Sequence, residues 1–339
     1  MSESRGVKTG LLELASGFGL ARAWRLLNPS GVPILGLHGV LPEEETRLFN
    51  ATGKFLSPSQ LKKMVEKLSR SYVFVSMETL IDGWLEGHSP RKGLLISFDD
   101  GCANAHTLVL PLLRKMGIPF SVFVTTGYVD TDKVLWNDLL EFAIFSTDEA
   151  VLPAGVLGNS VPLETGTDKS RAVVALKAGL KCLPLDEAAE KVRILCETLQ
   201  VDDRSPELEH VRFLTSAQIT DMAGQGVEFG GHTVTHPILA RETRERVRSE
   251  VAGCKQHLES WTGRPVRTFT YPNGQPGDFN DMVKQEVRDA GYEAAFTGIR
   301  GLNRPGLDLF EIKRLLVDGR WSYEEFDTRV SGLLEAIRG

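Results

Sequence analysis

Eight short, largely apolar runs recur along this chain with helical patterns between most of them, and that alternation is the strongest constraint on its fold. The runs are Val32–Leu37, Tyr72–Ser76, Leu94–Phe98, Phe120–Thr125, Val227–Gly230, Val266–Thr270, Ala294–Thr297 and Lys313–Val317. Strands covered on both faces by helices have no polar face to show, so they read as continuous apolar runs, the mark of a parallel sheet. Seven or eight strand–helix units point to an α/β fold of the (β/α) barrel kind, although an open doubly wound sheet carries the same signals. Ser57-Pro58-Ser59-Gln60 opens one helix with an N-cap serine and a proline in the first turn. Another helix is expected from Arg241 to about Ser260.

One stretch breaks the rhythm. Between residues 129 and 214 strand signal is sparse. Asp138–Phe145 and Lys169–Leu199 read as helices joined by a Gly/Pro/Thr-rich segment, Leu152–Thr167. The expected organisation is an N-terminal helical segment (1–30), a barrel (31–320) holding a helical insertion (129–214), and a C-terminal helix (321–339). A length of 339 residues suits one large barrel unit.

A net charge of −6 argues against a nucleic-acid partner, which would call for a basic face. The four cysteines (Cys102, Cys182, Cys196, Cys254) are far apart and read as reduced thiols. No apolar run approaches the roughly 20 residues needed to span a bilayer. The N-terminus, acidic from its third residue, does not read as a signal peptide. Leu11–Leu27 reads as an amphipathic helix, packed on the domain or lying weakly on a membrane surface. These features predict a cytoplasmic protein, at the inner membrane face where that helix lies on the bilayer.

In a barrel of this kind chemistry sits on the loops that follow the strands. Three of those loops carry unusual residues. In Leu94–Gly101 an apolar strand runs into Asp99, Asp100 and Gly101. A turn at the glycine can bring both carboxylates to one mouth, and like charges so close call for a cation. Asp-Gly is also a common turn pair on its own. In Gly230–Pro237, His232 and His236 stand four apart, but Pro237 disfavours helical geometry at His236. The pair is therefore expected on a loop, with Pro237 starting the next helix. Two imidazoles and a carboxylate suit a first-row metal with positions left for water and substrate. Thr233 or Thr235 is placed to bond the loop backbone. The third segment, Phe269–Gly274, ends a strand in Tyr271 and a Pro-Asn-Gly turn, which can aim a backbone N–H into a pocket.

Taken in order, Ser97–Gly101, His232–His236 and Tyr271–Gly274 resemble the motifs of the polysaccharide deacetylase family, the NodB-homology domain or carbohydrate esterase family 4. The resemblance spans about Val32 to Val317, and Trp136-Asn137-Asp138 looks like an insertion found in some members. It implies a distorted (β/α)7 barrel and a divalent metal, usually zinc. It assigns Asp100, His232 and His236 to the metal, Asp99 to the general base, and the Tyr271 backbone N–H to the oxyanion.

The chain departs from that family in two places. Members usually draw a general acid from a histidine after the tyrosine motif, whereas the last histidine here is His257. They also carry an arginine in the third motif, where this chain has Thr268-Phe269-Thr270-Tyr271. Of the remaining histidines only His38 ends a candidate strand, which places it at the mouth. Its segment also resembles the Tyr-His-x-Val of members whose strands appear circularly permuted, where that histidine is the acid. Arg314, on the last strand, is the candidate to hold Asp99 ionised; a surface ion pair is the plain alternative. The expected activity is metal-dependent removal of N-acetyl groups from an amino sugar or polysaccharide. O-acetyl ester hydrolysis, a cyclic-amide hydrolase and a non-catalytic metal- or carbohydrate-binding barrel are the alternatives.

Overall fold

A computed structural model describes residues 19–27, 31–48, 50–155 and 158–338. Its strands, in chain order, are β1 (Ile34–Leu37), β2 (Val73–Phe74), β3 (Gly93–Phe98), β4 (Ser121–Val124), β5 (Val151–Leu152), β6 (Val161–Pro162), β7 (Glu228–Gly231), β8 (Thr268–Thr270), β9 (Ala294–Phe296) and β10 (Leu315–Leu316). Each of the eight apolar runs overlaps one, and none of these strands reaches more than one residue beyond its run. Seven strands follow one path, β10-β1-β3-β4-β7-β8-β9, with every pair parallel. β2 pairs with the start of β3 beside that path. The open side closes just ahead of β10: Ile312 donates to the Ala295 carbonyl at 3.0 Å and accepts from the Thr297 N–H at 2.8 Å. The result is the distorted (β/α)7 barrel.

Alternate residues of β3 face opposite ways, as strand geometry requires. Leu94, Ile96 and Phe98 pack outward against the helix layer. Leu95 packs inward with Ile34, Phe123 and Phe296, and the two phenylalanine rings lie 5.2 Å apart. Burying each such side chain contributes roughly 1.5–3 kcal/mol. Above this apolar plug the same inward row continues as Ser97 and then Asp99, so the site stands on a filled barrel floor. The helices start where local chemistry dictates. Ser57 and Gln60 form a reciprocal capping box, and Thr215 with Gln218 forms another.

The 129–214 stretch holds helices Trp136–Ser146, Gly166–Leu180 and Leu185–Thr198, which enclose their own apolar cluster around Leu140, Ile144, Val173, Leu176 and Leu195. It also holds the antiparallel pair β5–β6, within a segment expected to be only a linker. Two further expectations are corrected. The C-terminal segment forms two helices, Tyr323–Val330 and Leu333–Arg338, because Gly332 between them takes a left-handed φ of 74°. Pro237 does not start a helix: a 3-10 turn (Leu239–Arg241) follows, and the long helix Arg244–Thr262 begins only where Thr243 caps it.

Of the expected N-terminal amphipathic segment, residues 11–18 lie outside the described residues. Helix Leu20–Leu27 buries Ala21 and pairs Arg25 with Asp327 at 2.8 Å, while Leu20, Leu26 and Leu27 face outward. Among the described residues no helix is long and apolar enough to cross a membrane.

Candidate metal centre

Four loops meet at the carboxyl ends of the strands, and each departs from ordinary backbone geometry. Asp100, Thr233, His236 and Asn273 have φ of 72°, 68°, 66° and 57°, and Gly39 has φ of 146°. Left-handed non-glycine residues cluster where a function holds the backbone away from its relaxed state. Asp99 still belongs to the strand ladder, since its N–H donates to the Leu37 carbonyl at 2.7 Å. The chain turns at Asp100 and Gly101, one residue earlier than a turn at the glycine alone would give.

Arg314 reaches Asp99 from β10's approach and grips both of its oxygens, Nη1 to Oδ1 at 2.7 Å and Nη2 to Oδ2 at 2.8 Å. Its Nε donates to the Thr297 carbonyl at 2.9 Å, and Nη1 lies 3.3 Å from Ser97 Oγ. The guanidinium is buried, 1% exposed, so this is no surface pair. Gly36 makes room for it: a Cβ there would stand 3.4 Å from Arg314 Cζ and 2.7 Å from Leu316 Cδ2. Burial works to raise the Asp99 pKa, but the Arg314 charge and hydrogen bonds outweigh it and hold the carboxyl below its ordinary value.

Asp100, His232 and His236 converge within 4.8 Å of one another. Asp100 Oδ1 lies 3.6 Å from Nε2 of each histidine. Ligand atoms ~2.1 Å from one ion at a tetrahedral angle stand ~3.4 Å apart, so the spacing suits a divalent cation. The donor set fits as well. The Thr270 carbonyl lies 2.8 Å from His232 Nδ1, which sets the tautomer and leaves Nε2 as the ligand atom. Burial and the neighbouring His232 push the His236 pKa down to about 3, so its imidazole is neutral and ready to coordinate. Both loop threonines are used. Thr233 Oγ1 accepts from the His236 N–H at 2.8 Å, and Thr235 bonds Glu250.

His38 follows β1 directly beside Asp99. Its Nδ1 is buried without a hydrogen-bond partner. Burial pushes its pKa down against the pull of Asp100 and Asp99. Its loop is pinned by Asn104, which is buried, accepts from the Val40 N–H at 3.2 Å and donates to the His210 carbonyl at 2.7 Å. A Cβ on Gly39 would fall 2.2 Å from Asn104 Oδ1. Gly39→Ala is therefore expected to destabilise the fold by about 1–3 kcal/mol. Thermal unfolding checks this; an unchanged Tm would mean that Asn104 gives way freely.

Tyr271 is placed differently from expectation. Its N–H donates to the Phe296 carbonyl at 3.1 Å, continuing the β8–β9 ladder, so this N–H is not offered to the pocket. The side chain is 1% exposed, stacks on Phe279 at 4.4 Å, and donates its hydroxyl to the Phe310 carbonyl at 3.0 Å. Tyr271 is thus a structural residue of the loop.

The residue that sequence reasoning missed is Lys54. Its Nζ lies 2.8 Å from Asp100 Oδ2 and 2.6 Å from Asp138 Oδ2. The two carboxylates overcome the burial penalty and raise its pKa, so it carries charge. Lys54 occupies Oδ2 of Asp100 and leaves Oδ1 to face the histidines. Helix Trp136–Ser146 holds this arrangement with two acids on one face. Asp138 takes Lys54, and Glu141 binds the Ala51 N–H, the Thr52 hydroxyl at 3.2 Å and Lys177 at 2.7 Å. Nothing in the spacing of Thr52-Gly53-Lys54 marks it, since its partners are 46 and 84 positions away.

A family model described as polysaccharide deacetylase matches residues 86–147 and 195–295. The poly-beta-1,6-N-acetyl-D-glucosamine N-deacetylase of Escherichia coli (strain K12) is 24% identical over 247 residues, 71% of this chain and 30% of that protein. The chain thus spans about a third of the length of the curated relatives it matches. Among solved structures, IcaB from Ammonifex degensii superposes with a TM-score of 0.59 at 20% identity, covering 89% of this chain and 97% of that one. The Streptococcus pyogenes deacetylase PplD in complex with acetate superposes with a TM-score of 0.58 at 18% identity, covering 89% and 99%. At these identities the superpositions speak for the fold.

Proposed function

The chain belongs to the polysaccharide deacetylase family, and on that premise we propose that it is a divalent-metal-dependent hydrolase that removes N-acetyl groups from an amino sugar or polysaccharide. The observation that carries the proposal is the juxtaposition of Asp100, His232 and His236 with an Asp99 held ionised by Arg314. A divalent cation, zinc by preference for this Asp-His-His set, would polarise the amide carbonyl and make an attacking water more acidic.

The chain's own residues then divide the proton work. Asp99 takes the proton of the attacking water as general base; its bidentate pairing with Arg314 keeps it unprotonated and fixes its direction. His38, on the neighbouring strand end, gives a proton to the departing amine. Lys54 and Asp138 hold Asp100 in register. The E. coli relative's name specifies an N-acetyl-D-glucosamine polymer, and we extend that substrate class, an N-acetylated glycan, to this chain.

Acetate release from N-acetylglucosamine oligomers tests the reading. Stripping the metal with a chelator is expected to lower the rate at least 100-fold, with recovery on adding back zinc, cobalt, nickel or manganese. Undiminished release by protein shown to be metal-free would refute metal dependence. Release only from O-acetylated substrates would make the enzyme an esterase instead.

A further inference from the structure

The loop between the two histidines is strained and needs something to hold it. Thr233 and His236 both take left-handed φ values, 68° and 66°, and a β-branched residue such as Thr233 rarely does so. One face of the loop is satisfied by backbone: the Thr233 carbonyl accepts from the Thr126 N–H at 3.1 Å and the Val234 carbonyl from the Gly127 N–H at 2.7 Å. The N–H groups on its other face have one acceptor. Glu250, on helix Arg244–Thr262, takes the Val234 N–H at 2.8 Å and the Thr235 N–H at 2.7 Å on Oε2. Its Oε1 takes the Thr235 hydroxyl at 2.6 Å. The carboxylate is 2% exposed, and Arg246 lies 2.7 Å from Oε1.

We propose that Glu250 is a positioning residue of the metal centre: its carboxylate folds the 233–236 turn so that His232 and His236 face Asp100 together. The inference rests on the reading of those three residues as metal ligands. A buried carboxylate receiving three hydrogen bonds from two consecutive residues at the centre of the turn, Val234 and Thr235, gives the loop one stable conformation out of several. Without it two backbone N–H groups lose their acceptor, and the strained φ values lose what sustains them. The ligands themselves would be untouched, but they would no longer be pre-arranged. Groups that orient metal ligands from behind typically account for 10- to 100-fold in metal affinity.

Zinc titration against a chromophoric competing chelator tests this in three variants. Glu250→Ala is expected to weaken zinc binding about 10- to 100-fold. Glu250→Gln keeps one acceptor oxygen and should lose less. Glu286→Gln is the control. Glu286 is as buried, 1% exposed, and pairs with Arg244 and Arg248 of the same helix, but it does not contact the loop. That variant should lower Tm and leave zinc affinity unchanged. If Glu250→Ala fails to fold, the Glu250→Gln titration decides. Wild-type zinc affinity in a folded Glu250 variant overturns the proposal, as does an equal loss of affinity in Glu286→Gln. A wild-type protein that binds no zinc would instead overturn the metal-site reading beneath it.

Discussion

Replacing Arg314 with methionine is expected to cost about 3–5 kcal/mol of folding stability, because it strands the Asp99 carboxylate without its cation in the barrel interior. Both terminal guanidinium nitrogens bond Asp99, within 2.8 Å, and neither partner has solvent to turn to. The pH dependence has a definite sign. In the native protein the Asp99 pKa lies below its ordinary value. The pair therefore contributes stability that is present above the unfolded pKa of ~3.9 and lost as pH falls through the lower folded value. In the variant, unopposed burial raises the folded pKa, so protonation relieves the stranded charge. The stability gap between the two proteins should be widest near pH 7 and narrow on acidification. Urea unfolding of metal-free protein at several pH values measures it. A gap that is small, or constant with pH, would show that Asp99 does not depend on Arg314.

His38→Gln should act in the opposite way, on rate and not on stability. His38 Nδ1 makes no hydrogen bond, so its loss leaves no partner orphaned. Removing a general acid lowers kcat by about 10²- to 10⁴-fold. The expected outcome is a fall in that range with Tm and KM little changed. Acetate release at the wild-type rate would remove His38 from the mechanism.

The barrel was legible in the sequence because buried parallel strands have no polar face to disguise them. All eight runs, from Val32–Leu37 to Lys313–Val317, overlap observed strands, with β3 and β7 each reaching one residue further. Arg314 was legible for a related reason: a cation at the head of an apolar strand must find a partner inside, and the parallel order brings it to Asp99. The β5–β6 pair escaped because two-residue strands, one ending in Pro162, have no room for a period. The fate of the Tyr271 N–H escaped because a Tyr-Pro-Asn-Gly turn announces where a strand ends but not that its ladder runs one residue further. Lys54 escaped because its role is written in two distant acids. Glu250 escaped too: it sits among the many charges of helix Arg244–Thr262, and only folding separates the one acid that faces inward.

The helix Trp136–Ser146 bears on how this protein can be re-engineered. The family model leaves residues 148–194 unmatched, which marks that stretch as the obvious place to cut, shorten or graft. The helix just before it is not equally dispensable, for Asp138 and Glu141 hold the turn that seats Lys54 on Asp100. Even a cut behind the helix exposes one weakness, because Lys177, which neutralises Glu141, would leave with the excised piece. A shortened version should therefore rejoin the chain after Ser146 and replace the lost lysine with another cation or Glu141 with glutamine. Minimal scaffolds and chimeras drawn by aligning family boundaries alone would sever the brace and keep the carboxylate it steadies.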